Sequence, residues 1–391
     1  MEEMVSRLQQ EAAALLPELC ALSDALYEHP ELGYEEFFAC AQHTAILEKH
    51  GFAVERKACG LETAYIATFD AGKPGLHIAY LAEYDALPGI GHGCGHNMLG
   101  ATSLGAGVLL SRVIGELGGK VSVFGTPAEE TSGAKVIFAR QHKFDGVDVA
   151  MIPHPATEWR RSGSSLALQP IQFEFFGKTA HAASCPWEGV NALDAALVTM
   201  TAINALREHI RPDSRVHGVI KAGGEAANVV PEYSQVQYYI RSTTKAYNAE
   251  LTEKVKKCAE AGALATGCRL TCTEFELPYD DLITNAALMD TFDQALFDLR
   301  GIHLAPASKS MGSSDAGQVS HICPTIHPYF DIANGTPALG HSRELAACTR
   351  TPYAYESMRD TACALALTAC RLLGDPALYA RIRAEFDAAQ K

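Results

Sequence analysis

Acid and imidazole side chains recur in this sequence just beyond short apolar runs. The run 76–82 is followed by Glu83 and Asp85 in Ala-Glu-Tyr-Asp-Ala-Leu-Pro, and the run 121–125 by Glu129 and Glu130 in Gly-Thr-Pro-Ala-Glu-Glu. The run 147–152 is followed by His154, set between two prolines. Between the first two lies Gly91-His92-Gly93-Cys94-Gly95-His96-Asn97, just ahead of a helical pattern. Thiolate and imidazole together suit zinc, cobalt or manganese-class ions, and the glycines let the backbone turn tightly enough to aim Cys94 and His96 at one point. Adjacent carboxylates at 129 and 130 can divide labour, one ligating a metal and one moving a proton. Each piece also has an ordinary reading. Cys94 could be a buried thiol in a loop, Glu129-Glu130 a solvated helix start favoured by the helix dipole, and His154 a surface loop residue. Those readings leave unexplained why three successive runs end in such groups.

For these groups to meet, the apolar runs must be neighbouring strands of one sheet. The runs 63–69, 76–82, 121–125 and 147–152 alternate with helical patterns at 98–117 and 134–142, which predicts a largely parallel sheet covered on both faces. Ligands in such sheets bind beyond the carboxyl ends of the strands, where the acids and histidines fall. Two further helical patterns, 2–27 and 34–50, open the chain, punctuated by Pro30 and Gly51,. After Arg161 the style changes. A period-two run at 168–176, an amphipathic helix at 190–208, strands at 216–221 and 234–241, a helix at 247–265 and a strand at 269–277 read as β-α-β-β-α-β, a ferredoxin-like unit. Helical patterning returns from about 281 and ends in a long helix, 353–373. The expected organisation is an α/β catalytic domain made of 1–165 and 279–391, with a lid or dimerisation domain inserted at 166–278.

At 391 residues the chain is long enough for two domains, and 48% hydrophobic with 20% charged residues is the balance of a well-packed globular protein,. A formal net charge of -14 argues against nucleic acid as a partner,. No stretch approaches the roughly 20 apolar residues that span a bilayer, and residues 1–10 are polar and acidic, unlike a secretory leader. A cytoplasmic address is expected, with no membrane partner. The 12 cysteines agree with a reducing compartment,. Cys20, Cys40, Cys258 and Cys370 sit singly in apolar contexts, and Cys268 with Cys272 lacks the partner pair a zinc ribbon needs.

Taken together, Ala-Glu-Tyr-Asp-Ala-Leu-Pro, His-Gly-Cys-Gly-His-Asn, Thr-Pro-Ala-Glu-Glu and Gly-Lys-Thr-Ala-His-Ala-Ala resemble the aminoacylase/carboxypeptidase-G type metallopeptidases. Within them the chain is most similar to the amidohydrolase branch of p-aminobenzoyl-glutamate, β-alanyl-dipeptide, auxin-conjugate and hippurate hydrolases. The resemblance covers nearly the whole chain in motif order. It implies two divalent ions, of zinc, manganese or cobalt type, ligated by Cys94, His96, Glu130, His154 and a late histidine. His341 in Pro-Ala-Leu-Gly-His-Ser is the best match for the last; His321 and His327 are ranked below it. It further implies that Glu129 is the general base for a metal-bound water and that Asp85 holds a ligand in place. His181 would stabilise the oxyanion from the partner subunit of a homodimer, and Asn228 and Arg241 would recognise the substrate carboxylate. Five protein ligands cannot saturate two separate ions, so a bridging ligand and a water must complete the shells. Glu83 and Asn97 stand where branches of the family vary, which leaves the metal open. The activity implied is hydrolysis of the amide bond of a small N-acyl amino acid, an aminobenzoyl-glutamate-like conjugate or a dipeptide.

Two other readings compete with this one. A thiol hydrolase with Cys94 as nucleophile leaves Glu129, Glu130 and His154 without a task. A non-catalytic metal-containing binding protein would have lost the base or a ligand, and this sequence keeps both.

Overall fold

Leu8, Ala12, Leu15, Leu19, Leu22 and Leu26 recur at intervals of three and four residues, and they form the buried stripe of α1 (Glu2–Glu28),. The structure is a computed structural model that describes residues 2–308 and 312–390. After α1 come α2 (Phe37–Lys49), β1 (Ala53–Arg56), β2 (Tyr65–Asp70), β3 (His77–Ala82), α3 (His96–Ser111) and α4 (Ile114–Leu117). Then follow β4 (Lys120–Gly125), α5 (Glu129–Ser132), α6 (Ala134–Arg140), β5 (Val149–Met151) and β6 (His154–Ala156). The chain next forms a separate unit, β7 (Ala167–Phe176), α7 (Ala192–Leu206), β8 (Arg215–Ala222), β9 (Tyr233–Ser242), α8 (Lys245–Thr266) and β10 (Arg269–Thr273). It returns with α9 (Ala286–Arg300), α10 (Ala316–Ser320), β11 (Thr325–Ile326), β12 (Tyr329–Asp331), α11 (Arg343–Cys348), α12 (Pro352–Gly374) and α13 (Pro376–Ala389). Two units result: Met1–Ser164 with Leu282–Ser310 and Asp315–Lys391, and Ser165–Asp281 with Met311–Ser314.

The first unit is built on a six-stranded sheet of order β1-β2-β4-β3-β5-β11. Strands β4, β3, β5 and β11 run parallel. Successive side chains of a strand point to opposite faces, and here both faces are apolar. Ile78, Tyr80 and Ala82 of β3 join α1, α3, α9 and α12 in one core, while Ala79 and Leu81 join Phe138, Phe144 and Val319 in another. The largely parallel, doubly covered sheet is therefore present. β2 departs from it by pairing antiparallel with β4. The reason is covalent: only residues 71–76 separate β2 from β3, too few for the helical crossover that a parallel return requires.

The second unit has sheet order β10-β7-β9-β8, with all pairs antiparallel. Counted within the unit this is 4-1-3-2, the ferredoxin-like arrangement expected from the sequence. Ile171, Phe173 and Phe175 of β7 and Val236, Tyr238 and Ile240 of β9 bury one sheet face against α7 and α8. Asn191 caps α7 by accepting from the backbone N–H groups of Leu193 and Asp194, Thr244 caps α8 through Tyr247, and Gly267 closes α8 in the left-handed region,.

The long helix expected at 353–373 is α12, and a further helix that the sequence reading does not anticipate, α13, follows it. Asp375 accepts from the N–H groups of Ala377 and Leu378 and starts α13 afresh, with Pro376 in its first turn,. Among the described residues no single helix is long and apolar enough to cross a membrane.

α3 carries the start of the motif region and is buried on every side from His96 to Leu110. Its Gly100 lies against α2 and the end of β3: a Cβ there would stand 2.5 Å from His43 Cε1 and 2.8 Å from the Glu83 carbonyl oxygen. Helix propensity favours Gly100→Ala by about 1 kcal/mol, but overpacking against backbone costs about 1–3 kcal/mol. Urea unfolding is expected to show a net loss of stability; a gain would mean that the contact relaxes freely.

Candidate metal centre

The carboxyl ends of β3, β4 and β5 converge, and each delivers one part of a polar centre. From β3 the chain runs to Glu83 and Asp85, both about 1% exposed. From β4 it turns through Ala128, held at φ 62°, into α5 with Glu129 and Glu130. From β5 it reaches His154 at the start of β6. Gly95, at φ 78°, sets the left-handed entry to α3 between Cys94 and His96. Only glycine fits there for a second reason: a Cβ would lie 2.8 Å from Cβ of Pro155, so the thiol loop packs directly on the strand bearing His154. The loop before α11 is tied in by the His341 N–H, which donates to the Gly93 carbonyl at 3.0 Å; His341 itself sits at φ 61°.

One carboxylate holds the parts in register. Asp85 Oδ1 lies 2.9 Å from His96 Nδ1 and Oδ2 accepts the Glu130 N–H at 2.9 Å. Nδ1 of His96 is thereby engaged, and Nε2 faces the other donors. Cys94, His96 and His154 offer three donor atoms within 4.8 Å of one another, and Cys94, Glu130 and His341 offer another such group. Cys94 belongs to both. His341 Nε2 is 3.4 Å from Glu130 Oε1. Among the described residues His96 Nε2 and Glu130 Oε1 are buried without hydrogen-bond partners, and they stand 4.0 Å apart. Leaving such atoms unpaired costs about 1–3 kcal/mol each, and a cation held between them would satisfy both. The donors and the orphaned atoms fit divalent cations of borderline softness.

The electrostatics separate this arrangement from a cysteine nucleophile. Cys94 Sγ is 3.4 Å from His154 Nε2, the contact of a Cys–His pair. Burial, however, pushes the thiol up to about 12 and the His154 imidazole down to about 3. An activated thiolate–imidazolium pair needs both shifts in the opposite direction. His96 is raised, because Cys94 and Asp85 outweigh the effect of its burial. Glu129 is raised well above the carboxylate range by burial, with Glu83, Asp315 and Glu130 adding to it.

Of the lower-ranked histidines, His327 is buried and stacks on His154 with ring centroids 5.4 Å apart. Among the described residues neither His327 nor His321 joins a cluster of metal-type donors. Asn97 is spent on anchoring: its amide donates to Ser23 and Thr349. His181, Asn228 and Arg241 belong to the second unit. His181 and Asn228 are both exposed and are brought together there. The His181 segment bridges Val229, the Ala182 N–H donates to the Asn228 carbonyl, and His181 Nδ1 accepts from Ala183 and Ser184. Arg241 is half-buried, donates to Ser313 Oγ at 2.9 Å and lies 5.6 Å from the Tyr239 ring centre.

Sequence reasoning missed two features of the centre. Lys135 and Asp315 pair beneath it, joined to Glu83. The segment before α2 braces the Glu129 loop: Glu36 accepts the Ala128 N–H, and the Tyr34 hydroxyl donates to the Ser132 carbonyl. Burial lifts the Glu36 carboxyl to about 7.

The chain is similar to known proteins along most of its length. A peptidase dimerisation domain model matches residues 170–266. The Xaa-Arg dipeptidase of Mus musculus is 38% identical over 384 residues, covering 94% of this chain and 88% of the relative. One of the p-aminobenzoyl-glutamate hydrolase chains of Escherichia coli is 34% identical over 296 residues, 70% of this chain and 61% of that one. Among solved structures, a Bacillus subtilis dinuclear metal-binding peptidase of the M20 family superposes with a TM-score of 0.70 at 20% identity, over 93% of this chain and 99% of that one.

If the Cys94 thiolate ligates metal, cobalt-loaded protein shows a sulfur-to-cobalt charge-transfer absorption that Cys94→Ser abolishes. The same absorption in the Cys94→Ser protein would remove Cys94 from the ligand set.

Proposed function

The chain belongs to the M20 peptidase family, and from that premise we propose a metal-dependent amidohydrolase that cleaves dipeptides or N-acyl amino acids at a two-metal centre. One observation carries the reading: two groups of metal-type donors share Cys94, and a single buried carboxylate, Asp85, braces both. Cys94, His96, Glu130, His154 and His341 would hold the ions, Cys94 being the residue that the two donor groups share. A thiolate with imidazoles favours zinc or cobalt over manganese. When bound, the ions supply Lewis-acid polarisation of the scissile carbonyl and of a water.

The chain's own residues supply the rest. Asp85 keeps the His96 ring turned so that Nε2 faces the centre. Glu129 takes the proton from the attacking water as its oxygen bonds to the carbonyl carbon, and returns it to the amine nitrogen as the C–N bond breaks. Burial and the neighbouring Glu83, Asp315 and Glu130 raise Glu129; positive charge held beside Glu130 would oppose that shift and favour the carboxylate that accepts the proton. His181 would stabilise the oxyanion from the partner subunit, and Asn228 and Arg241 would hold the substrate carboxylate. A planar guanidinium with no carboxylate hydrogen-bonded to it among the described residues suits that task,. Residues 1–165 and 279–391 would serve as the catalytic domain and 166–278 as the lid and dimerisation domain.

A homodimer is supported by the match to a dimerisation domain and by the surface it covers: edge strand β8 exposes Val219 and Ile220, and α7 exposes Leu197 and Val198,. The free state of all the cysteines supports a reducing, cytoplasmic address,. Among substrates, dipeptides ending in arginine come first, because the relative matched over 94% of the chain is an Xaa-Arg dipeptidase.

The test is hydrolysis of Xaa-Arg dipeptides, p-aminobenzoyl-glutamate and N-acetyl amino acids before and after chelation and metal return. Release of the amino acid should vanish on chelation, recover with metal, and fall about 100- to 10,000-fold in metal-loaded Glu129→Gln. Turnover that survives exhaustive chelation would refute the metal-dependent reading.

A further inference from the structure

Beneath the centre the chain carries a cation of its own. Lys135, on α6, has no exposed surface. Its ammonium donates to Glu83 Oε1 and to Asp315 Oδ1, each at 2.6 Å. Asp315 also accepts the Lys135 backbone N–H through Oδ2 at 3.0 Å, so one carboxylate grips both ends of the residue. Gly133 makes room for that grip: a Cβ there would come within 2.2 Å of Asp315 Oδ2.

Glu83, Glu129 and Asp315 each place an oxygen within 4.8 Å of the other two. Two buried carboxylates and a partly buried third at such spacing repel one another and ordinarily draw in a cation,. Here the ammonium bonds two of the three. Burial opposes its charge, but Asp315, Glu83 and Glu129 overcome that effect and keep its pKa raised. The other oxygen of Glu83 is 3.3 Å from His96 Nε2. The ammonium therefore anchors a carboxylate that lies beside both His96, one of the metal-type donors, and Glu129.

We infer that Lys135 is a positioning residue for Glu129: its tethered ammonium takes the place of a loose cation among Glu83, Glu129 and Asp315, and so fixes where the proton-transferring carboxylate stands. The inference rests on the reading of Glu129 as general base. It makes a distinction that packing alone does not, because a group that only holds the fold affects stability and metal content rather than the catalytic step.

The experiment compares wild type, Lys135→Met, Lys135→Met/Asp315→Asn and Glu129→Gln, each metal-loaded, for metal content, KM and kcat on one Xaa-Arg dipeptide. Lys135→Met leaves carboxylates buried without their counter-charge, so if that variant fails to fold, the double variant, which removes both charges, decides the question. The expected result is a double variant that keeps wild-type metal content and a KM within about 3-fold, while kcat falls about 100-fold, the scale of a misplaced catalytic group. A kcat within about 3-fold of wild type overturns the inference. So does a double variant that fails to fold or loses metal, which would assign Lys135 to holding the site together. Full activity in Glu129→Gln would instead overturn the reading of Glu129 itself, whatever Lys135 does.

Discussion

The Asp85 carboxylate is the joint on which the centre depends. It lies just past β3, engages His96 at the start of α3 with one oxygen, and takes the Glu130 backbone N–H at the start of α5 with the other. The starts of two crossovers of the parallel sheet are thereby pinned to each other at the end of β3. Because Asp85 is about 1% exposed, water does not compete for either bond, and a charge-assisted hydrogen bond in such surroundings is at its strongest. Every other member of the centre is placed relative to this joint. Gly95 brings Pro155 and hence His154 against the thiol loop, and Gly93 receives the N–H of His341.

That assembly holds features that a fold maintained for stability alone would shed. Ala128 and His341 adopt left-handed backbone conformations, each costing on the order of 1–3 kcal/mol,. Buried nitrogen and oxygen atoms of His96 and Glu130 stand without hydrogen bonds among the described residues. Three carboxylates crowd around one ammonium. Several such costs meet at the carboxyl edge of the sheet, while both apolar faces are packed with aliphatic and aromatic side chains. Binding of cations at the donor groups would satisfy the orphaned atoms and offset the repulsion, coupling the stability of this edge to its occupancy.

Much of this was legible in the sequence, because strand ends and glycines are local signals. The runs that became β3, β4 and β5 were apolar at nearly every position, and the acids and histidines followed them at once. The ferredoxin-like unit declared itself through period-two strands and through capped helices. The direction of β2 was not legible from its own residues; it depends on the shortness of a connection and on β4 inserting between β2 and β3. Lys135 and Asp315 were missed for a different reason. They lie 180 residues apart, and Asp315 sits in an aperiodic stretch rich in glycine and serine, so nothing local marks either as buried. The short β6 and β12, which pair with each other, were likewise invisible, since their pairing depends on contact between distant segments.

The most direct measurement of the central claim is anomalous diffraction from crystals of metal-loaded protein, recorded on both sides of the metal's absorption edge. The account predicts two anomalous peaks about 3.5–4 Å apart, as in two-metal hydrolytic sites, in contact with Cys94, His96, Glu130, His154 and His341. No peak at these residues, or a single peak held by other side chains, would contradict it.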